Sequence, residues 1–186
     1  MSGIRKVKLG VGRLAVVLAA GVLATFGFAG VASATHTESS SPAPYQDSAW
    51  GSGEFCIGPA QGICGLIHTN AKSEFDGSSP EGTVFAHVTV VATGLQPEVY
   101  GRVTCLRVVG NQAVVGAEVT KTSDPAFLPV GFGAVAQYVD NGEPGSADRG
   151  SAFATPTPPV VCPAPAFPTN PVTQGNFIVH DALVGH

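Results

Sequence analysis

The fold is decided by one stretch, VYGRVTCLRVVGNQAVVGAEVTK, which spans residues 99–121. It contains two runs rich in β-branched residues, 99–109 and 113–121, and the residues between them are Gly110-Asn111-Gln112. Two such runs around a short Gly-Asn turn predict a β-hairpin, because glycine adopts the backbone angles that a tight hairpin turn requires.

The length of the turn determines which side chains of the hairpin face the core. A two-residue turn at Gly110-Asn111 gives a mostly apolar shared face, whose facing pairs are Val108 with Ala113 and Leu106 with Val115. Cys105 then lies on the opposite face, across from Gly116. A three-residue turn would shift the pairing by one residue and bring Arg107 to the inner face, where an unpaired charge is costly. We therefore expect the two-residue turn.

Alternating apolar positions outside the hairpin predict further strands. Residues 83–93 carry an apolar set that we expect to face inward, namely Val84, Ala86, Val88, Val90 and Ala92. Shorter strands are expected at 131–140, 149–154 and 176–181. After residue 34 no stretch combines ten residues of helical period with helix caps. The chain is therefore expected to be all-β, an antiparallel β-meander that forms a sandwich or a small barrel.

The first 34 residues have the organisation of a secretory signal peptide. Four basic residues and no acid precede an apolar stretch at 14–31, and Ala32-Ser33-Ala34 supplies the small residues that a signal peptidase requires. Cleavage after Ala34 would leave a mature chain that begins at Thr35. The alternative is an uncleaved membrane anchor, for which the apolar stretch is barely long enough and is interrupted by glycines.

The residues after the signal are acidic. Five basic residues stand against thirteen acidic ones, which gives a formal net charge of −8. This charge repels the phosphate backbone of nucleic acid and an anionic membrane surface, so neither partner is expected once the signal has been removed. We expect a secreted protein whose unidentified partner lies in the extracellular space or the cell envelope.

The four cysteines all follow the signal, and their even number in an oxidising compartment predicts two disulfides. Of the three pairings, we expect Cys56–Cys64, which closes a short glycine-rich loop, together with Cys105–Cys162. A four-cysteine zinc site is the alternative, but the C-x-x-C spacing typical of such sites does not occur in the sequence.

Composition divides the mature chain into parts. Residues 35–54 are rich in Ser, Pro, Gly and Ala, and are expected to form a flexible leader. A single β-domain is expected over 55–186. Within it, the Pro-rich segment 155–173 holds seven prolines, which impose an extended course and exclude a helix or a central strand. We expect Cys162 to fasten this segment to Cys105 across the outside of the sheet.

Four short motifs give the chain a family resemblance. They are Asn70-Ala71-Lys72 ahead of a Pro-Glu-Gly turn, VVGNQA at 108–113, DNGEPG at 140–145 with Asp148, and GNFIVH at 175–180. In this order and spacing they resemble a family of small bacterial exported β-domains that are labelled post-COAP-like and often form a terminal module. The resemblance covers roughly residues 65–182. It implies an all-β meander and no established activity.

The turn at 140–148 is the sharpest candidate for a binding site. Four oxygen-bearing side chains fall within nine residues there, namely Asp140, Asn141, Glu143 and Asp148. Hard oxygen donors on a loop can bind calcium, although this spacing differs from that of an EF-hand. Asp and Asn also cap tight turns through backbone amides, and this structural role is the preferred interpretation. No other cofactor is expected.

Histidines and the single tryptophan supply further candidates. His180-Asp181, with His87 and His186 as companions, would provide a general base if a hydroxyl nucleophile lay nearby. Neighbours on a strand face opposite ways, and neither a G-x-S-x-G nor an H-E-x-x-H motif occurs. We therefore interpret these histidines as surface or packed residues.

Trp50, the single tryptophan, could stack on a sugar, but is expected to pack against a sheet edge.

The sequence leaves three functions open. We expect a secreted, non-enzymatic β-domain with a binding or structural role. The alternatives are an extracellular hydrolase that uses Asp140 or Glu143 with His180, and a calcium-dependent binding module. The hydrolase requires His180 within hydrogen-bond reach of Asp140 or Glu143, in a concave pocket.

Overall fold

The computed structural model describes residues 46–57, 62–142 and 147–183. These residues contain no helix and form one antiparallel sheet that curls into a half-barrel, so the all-β meander is confirmed. The strands are β1 (Gln46–Ile57), β2 (Ile63–Glu74), β3 (Glu81–Val90), β4 (Glu98–Val109), β5 (Gln112–Thr122), β6 (Gly133–Val139), β7 (Arg149–Thr155), β8 (Asn170–Pro171) and β9 (Gln174–His180). The predicted signal peptide at 1–34 lies outside the described residues.

The strand order explains how the sheet curls. Strands β1 to β8 pair in chain order, and β9 returns to pair with β1, which places β8 and β9 at the two edges. Residues 172–173 connect β8 to β9, and so carry the chain from one edge of the sheet to the other. Val172 N donates to Asp148 O at 2.9 Å, and Thr173 N donates to Glu54 O at 2.8 Å. These two bonds hold β7 and β1 near each other although no ladder joins them.

The β4–β5 hairpin has the predicted register. Its facing pairs are Val108 with Ala113, Leu106 with Val115 and Cys105 with Gly116. Gly110 has φ 59°, which suits the first position of a two-residue hairpin turn. Arg107 is exposed. The two-residue turn is therefore confirmed, and the core face of the hairpin is apolar.

The other predicted strands are present with shifted ends. In β3 the side chains of Val84 and Ala86 pack against the core, as expected for the inward set. The strand ends at Val90 instead of residue 93, because a bridge between Val90 and Leu95 closes a turn in which Gly94 has φ 70°. Strands β6, β7 and β9 correspond to the runs predicted at 131–140, 149–154 and 176–181.

The flexible leader predicted at 35–54 is wrong for residues 46–54, which belong to β1; residues 35–45 lie outside the described residues. The strand pairs with β2 along its whole length and with β9 on its other side. Its glycines mark close packing. A Cβ atom on Gly53 would lie 2.5 Å from the Phe177 ring, so only glycine lets β9 approach this closely.

The interior of the half-barrel has a packed end, formed around Tyr138 and Phe177. The rings of these residues stack with centroids 4.1 Å apart, and Phe55 meets Phe177 edge-on at 6.4 Å. The Tyr138 hydroxyl forms a 2.6 Å hydrogen bond with Thr69 Oγ1, and burial raises the pKa of Tyr138. Aromatic rings therefore fill this end of the interior, and their one polar atom has a partner.

Both predicted disulfides are present. Cys56–Cys64 joins directly facing positions of β1 and β2. Cys105–Cys162 fastens the Pro-rich segment across the outer face of the sheet, where the segment covers Val114 and Val135. Thr104 Oγ1 also donates to Pro159 O at 2.7 Å. The outer face thus has a small core of its own, formed by a segment that has almost no strand pairing.

Removing the Cys105–Cys162 bond by the double substitution Cys105→Ala/Cys162→Ala should lower the free energy of unfolding by about 2–4 kcal/mol. The bond closes a loop of 57 residues, whereas Cys56–Cys64 closes one of 8, so the Cys56→Ala/Cys64→Ala control should lose less. Urea unfolding of the oxidised proteins measures both values. An equal loss, or a larger loss in the control, would contradict this ranking.

Candidate functional site

The predicted calcium ligands lie at the packed end, where their carboxylates bind the backbone of the chain itself. Asp148 is 1 % exposed, and its Oδ1 accepts from Asn141 N while its Oδ2 accepts from Phe177 N, both at 2.9 Å. Asp140 accepts with Oδ2 from Val179 N at 3.0 Å. Each of these carboxylates thus reaches across to β9.

The other described side-chain oxygens of Asp140 and Asn141 also accept hydrogen bonds. Asp140 Oδ1 accepts from Gly142 N at 2.8 Å, and Asn141 Oδ1 accepts from Asn111 Nδ2 at 3.4 Å. Glu143 lies outside the described residues. Among the residues that are described, no group of three or more His, Cys, Asp or Glu side chains is arranged to bind a metal. Calcium binding stays a prediction, and the geometry favours the structural role.

The bonds to Phe177 and Val179 bring two separated sequence motifs together. Strand β9 pairs with β1 along one edge, and its other edge would expose unpaired N–H groups. The carboxylates of Asp140 and Asp148 accept two of these N–H groups. The DNGEPG turn with Asp148 and the GNFIVH strand therefore meet in space, and the turn completes the hydrogen bonding of the strand.

Among the described residues, no hydrogen bond or ion pair joins His180 to Asp140, and the other candidate acid, Glu143, lies outside them. His180 is exposed near the end of β9, and both oxygens of Asp140 already accept backbone amides. Asp181 Oδ2 accepts from Gly110 N at 2.7 Å, which ties the end of β9 to the hairpin turn. His87 is partly exposed, with Nδ1 3.8 Å from Glu98 Oε1. His186 lies outside the described residues.

Trp50 is 49 % exposed on β1, where its register neighbours are Asn70 and Ile178. Its register neighbour Ile178 belongs to the edge strand β9, and the expectation that Trp50 packs against a sheet edge stays a prediction. The aromatic rings on the neighbouring strands are stacked on one another. Phe85 lies 5.7 Å from His68 and 4.8 Å from Tyr100, between ring centroids. Ring faces that could stack on a sugar are therefore partly covered within this row.

A cavity of about 560 Å³ occupies the other end of the interior, which we call the open end. This volume falls within the range of roughly 300–1,000 Å³ that is typical of sites for small molecules. Among the described residues, none of the cavity-lining side chains contains a polar atom. The side chains that form the cavity belong mainly to Ile57, Ile63, Ile67, Val84, Ala86, Val88, Val99, Val115, Ala117, Val119, Leu128, Ala134, Ala136, Ala152 and Ala154.

Small side chains create this cavity. Ala134 faces Ala154, and Ala136 faces Ala152, on the neighbouring strands β6 and β7. The same two strands enter the packed end with Tyr138 and with Gly150, which makes room for the ring of Phe55. The interior is therefore filled where aromatic residues face inward and empty where alanines do.

The β5–β6 loop borders the cavity, and the Cys56–Cys64 disulfide adjoins two of its lining residues in sequence. Leu128, in the β5–β6 loop, is buried against Val99 and Val119, and Asp124 Oδ1 caps the loop by accepting from Ala126 N at 3.0 Å. On the opposite side, Cys56–Cys64 lies directly beside the lining residues 57 and 63. Several lining side chains, including those of Ile57, Ile63 and Val88, remain partly exposed, so the cavity opens to solvent.

The sequence analysis did not identify this cavity. The signal was present as alternate small residues in the inward sets, such as Ala113, Ala117, Ala134 and Ala136. Alternation of this kind predicts that one face of a strand is buried. It does not predict whether side chains from other strands pack against that face or leave a cavity next to it. The curvature of the sheet decides that, and curvature depends on contacts between distant residues.

Comparisons of this chain with protein-family models, with curated proteins and with solved structures give no match. The resemblance to the post-COAP-like family therefore stays a prediction. Within the described part of the chain, no helix has the length and apolar character needed to cross a membrane. The functional interpretation rests on the geometry of the described residues.

The substitution Asp148→Asn should lower the free energy of unfolding by about 1.5–3 kcal/mol, because it removes a buried charge that accepts two backbone N–H groups. The control is Asp76→Asn, at an exposed turn residue that accepts from Ser78 N, and should cost less. Urea unfolding measures both. A melting temperature that rises on addition of calcium to the parent, but not to the Asp148→Asn variant, would contradict the purely structural role.

A second prediction concerns Asp47, which is 4 % exposed and accepts from Ala182 N at 3.0 Å. Burial raises the pKa of this carboxyl; the Ala182 amide and His180 partly oppose the shift, while Asp181 adds to it. Because the folded protein then binds the proton more tightly than the unfolded chain, this contribution to stability is present at low pH and lost as pH rises through the folded pKa.

The substitution Asp47→Asn removes this titration and retains an oxygen for Ala182 N. The free energy of unfolding of the variant, relative to that of the parent, should therefore increase between pH 4 and pH 7. Urea unfolding at both pH values measures the change. A relative stability that falls as the pH rises would show that the folded protein stabilises the ionised carboxyl instead.

Proposed function

We propose that this protein is a secreted, non-enzymatic binding domain that holds a small apolar ligand in the cavity at the open end. The observation that carries the proposal is an apolar cavity that opens to solvent. Large side chains fill the packed end of the same interior, so the cavity is confined to the open end. Each CH₂ group that leaves water for such a site contributes about 0.8 kcal/mol. Cavities lined by aliphatic side chains stay dry and bind apolar molecules.

The chemistry of the lining argues for binding and against catalysis at this site. Hydrolysis needs a nucleophile or a general base beside the substrate, and the lining side chains offer neither. Neither His180 nor Asp140 lines the cavity, and both carboxylate oxygens of Asp140 accept backbone amides. Two disulfides are consistent with an extracellular location, and together with the predicted signal peptide they support secretion.

The proposal is tested by filling the cavity. Ala134→Leu adds three carbon atoms to the wall, and should weaken binding of the neutral fluorescent probe N-phenyl-1-naphthylamine at least tenfold. The free energy of unfolding should stay equal or rise, because a filled cavity gains contacts. Fluorescence titration of the oxidised protein, beginning at residue 35, measures the dissociation constant.

Ala92→Leu is the matched control, since it adds the same side chain at an exposed turn position outside the cavity. Its affinity for the probe should equal that of the parent. Ala152→Leu, on the facing strand, provides a second variant should Ala134→Leu fail to fold. A parent protein that does not bind the probe, or folded Leu variants that bind it as well as the control does, would overturn the proposed function.

A further inference from the structure

We infer that the ligand of the cavity is uncharged, a hydrocarbon chain or ring system with at most a neutral polar group such as a hydroxyl or an ester. This inference rests on the proposed function and adds to it the chemical class of the ligand. Three observations carry it: the lining of the cavity, the location of every basic residue after the predicted signal, and the surroundings of the acidic residues at the rim.

The described lining offers no side chain that could bind a charge. All of the described side chains that line the cavity are aliphatic or aromatic hydrocarbon, or belong to glycine. The backbone N–H and C=O groups of β2 to β6 are engaged in sheet ladders, whereas β7 beyond Gly150 has a ladder with β6 alone. A charged group that enters an apolar site without a partner costs several kcal/mol, more than a few buried CH₂ groups return. A charged headgroup would therefore have to remain at the rim.

The rim lacks a cation that could hold an anionic headgroup. Two of the five basic residues form outer ion pairs at 2.7 Å, Lys72 with Glu81 and Arg102 with Glu118. Lys121 lies over the ring of Tyr100, 5.0 Å from its centroid, on the same outer face.

The other two basic residues, Arg107 and Arg149, lie on the parts of β4 and β7 that face the packed end. Arg107 is exposed on the outer face of the hairpin, and Arg149 bonds to Thr169 beside β8. The link between β1 and β2, residues 58–61, lies outside the described residues, and its sequence Gly-Pro-Ala-Gln carries no charge. A carboxylate or a phosphate at the rim would therefore have no counterion, in a mature chain whose net charge is already strongly negative.

The acidic residues near the rim do not form a site for a cation either. Asp124 uses Oδ1 to accept from Ala126 N and Phe127 N, which holds the β5–β6 loop in place. Glu98 extends along the outer face, where its carboxylate is 3.8 Å from His87 Nδ1 and accepts from the Tyr100 hydroxyl at 3.3 Å. Neither carboxylate lines the cavity, so an ammonium group gains no direct partner.

The test compares three ligands of twelve carbon atoms each: 1-dodecanol, dodecanoate and dodecylammonium. Each displaces N-phenyl-1-naphthylamine from the oxidised protein at pH 8, at concentrations below its solubility limit or critical micelle concentration. The expected dissociation constant of 1-dodecanol is at least tenfold lower than that of either charged ligand. A difference of less than tenfold from either one would overturn the inference.

Failure of this inference is distinguishable from failure of the proposed function. If the probe binds and dodecanoate displaces it as well as 1-dodecanol does, the cavity is a binding site without selection against charge. If the probe itself does not bind, the proposed function falls.

A variant that adds a cation at the rim tests independently whether the rim lacks a counterion for an anionic ligand. Ala154 lines the cavity and is exposed, so Ala154→Lys places a cation at the rim. Its affinity for dodecanoate should be at least fivefold higher than that of the control Ala154→Gln, whose side chain is polar and uncharged. Equal affinities in the two variants would contradict the claim that the rim lacks only a cation.

Discussion

The closure of the sheet depends on Asp148. Its carboxylate accepts the Phe177 amide of β9, and its backbone carbonyl accepts the Val172 amide just after β8. One buried residue thus connects the two edges of a nine-stranded sheet. The β1–β9 ladder, the bond from Thr173 N to Glu54 O and the bond from Val179 N to Asp140 add to this connection, because consecutive pairing alone leaves both edges open. The curl that results gives the sheet an inside.

Once the sheet is curled, the size of the inward side chains decides what the inside becomes. At the packed end, Tyr138 and Phe177 fill the space, and glycines such as Gly150 let the rings approach the backbone of other strands. At the open end, alanines on β6 and β7 leave the space empty. The aromatic core thus lies at one end and the proposed binding site at the other, a division that a uniformly packed barrel could not offer.

The outer face is stabilised by different means. The Pro-rich segment cannot donate the hydrogen bonds of a regular strand, so a disulfide at Cys105–Cys162 and contacts with Val114 and Val135 hold it in place. Gly116 is part of the same arrangement, because a Cβ atom there would lie 2.5 Å from both Cys105 Sγ and Pro159. The hairpin register, which sets Cys105 opposite Gly116, is therefore linked directly to the docking of a segment more than forty residues away.

The sequence by itself determined the strand class, the hairpin register, the pairing of the cysteines and the course of the Pro-rich segment. Each of these follows from local periodicity, turn chemistry or the chemistry of the residues concerned. The prediction of a flexible leader was wrong for residues 46–54, which belong to β1. Glycine-rich sequence is typical of flexible segments, but here the glycines allow neighbouring strands to pack closely. Only the tertiary structure decided that the oxygens of Asp140 and Asp148 bind the backbone of β9, and that alanines enclose an empty volume. Both outcomes depend on which distant strands meet, and side-chain alternation carries no information about the curvature that brings them together.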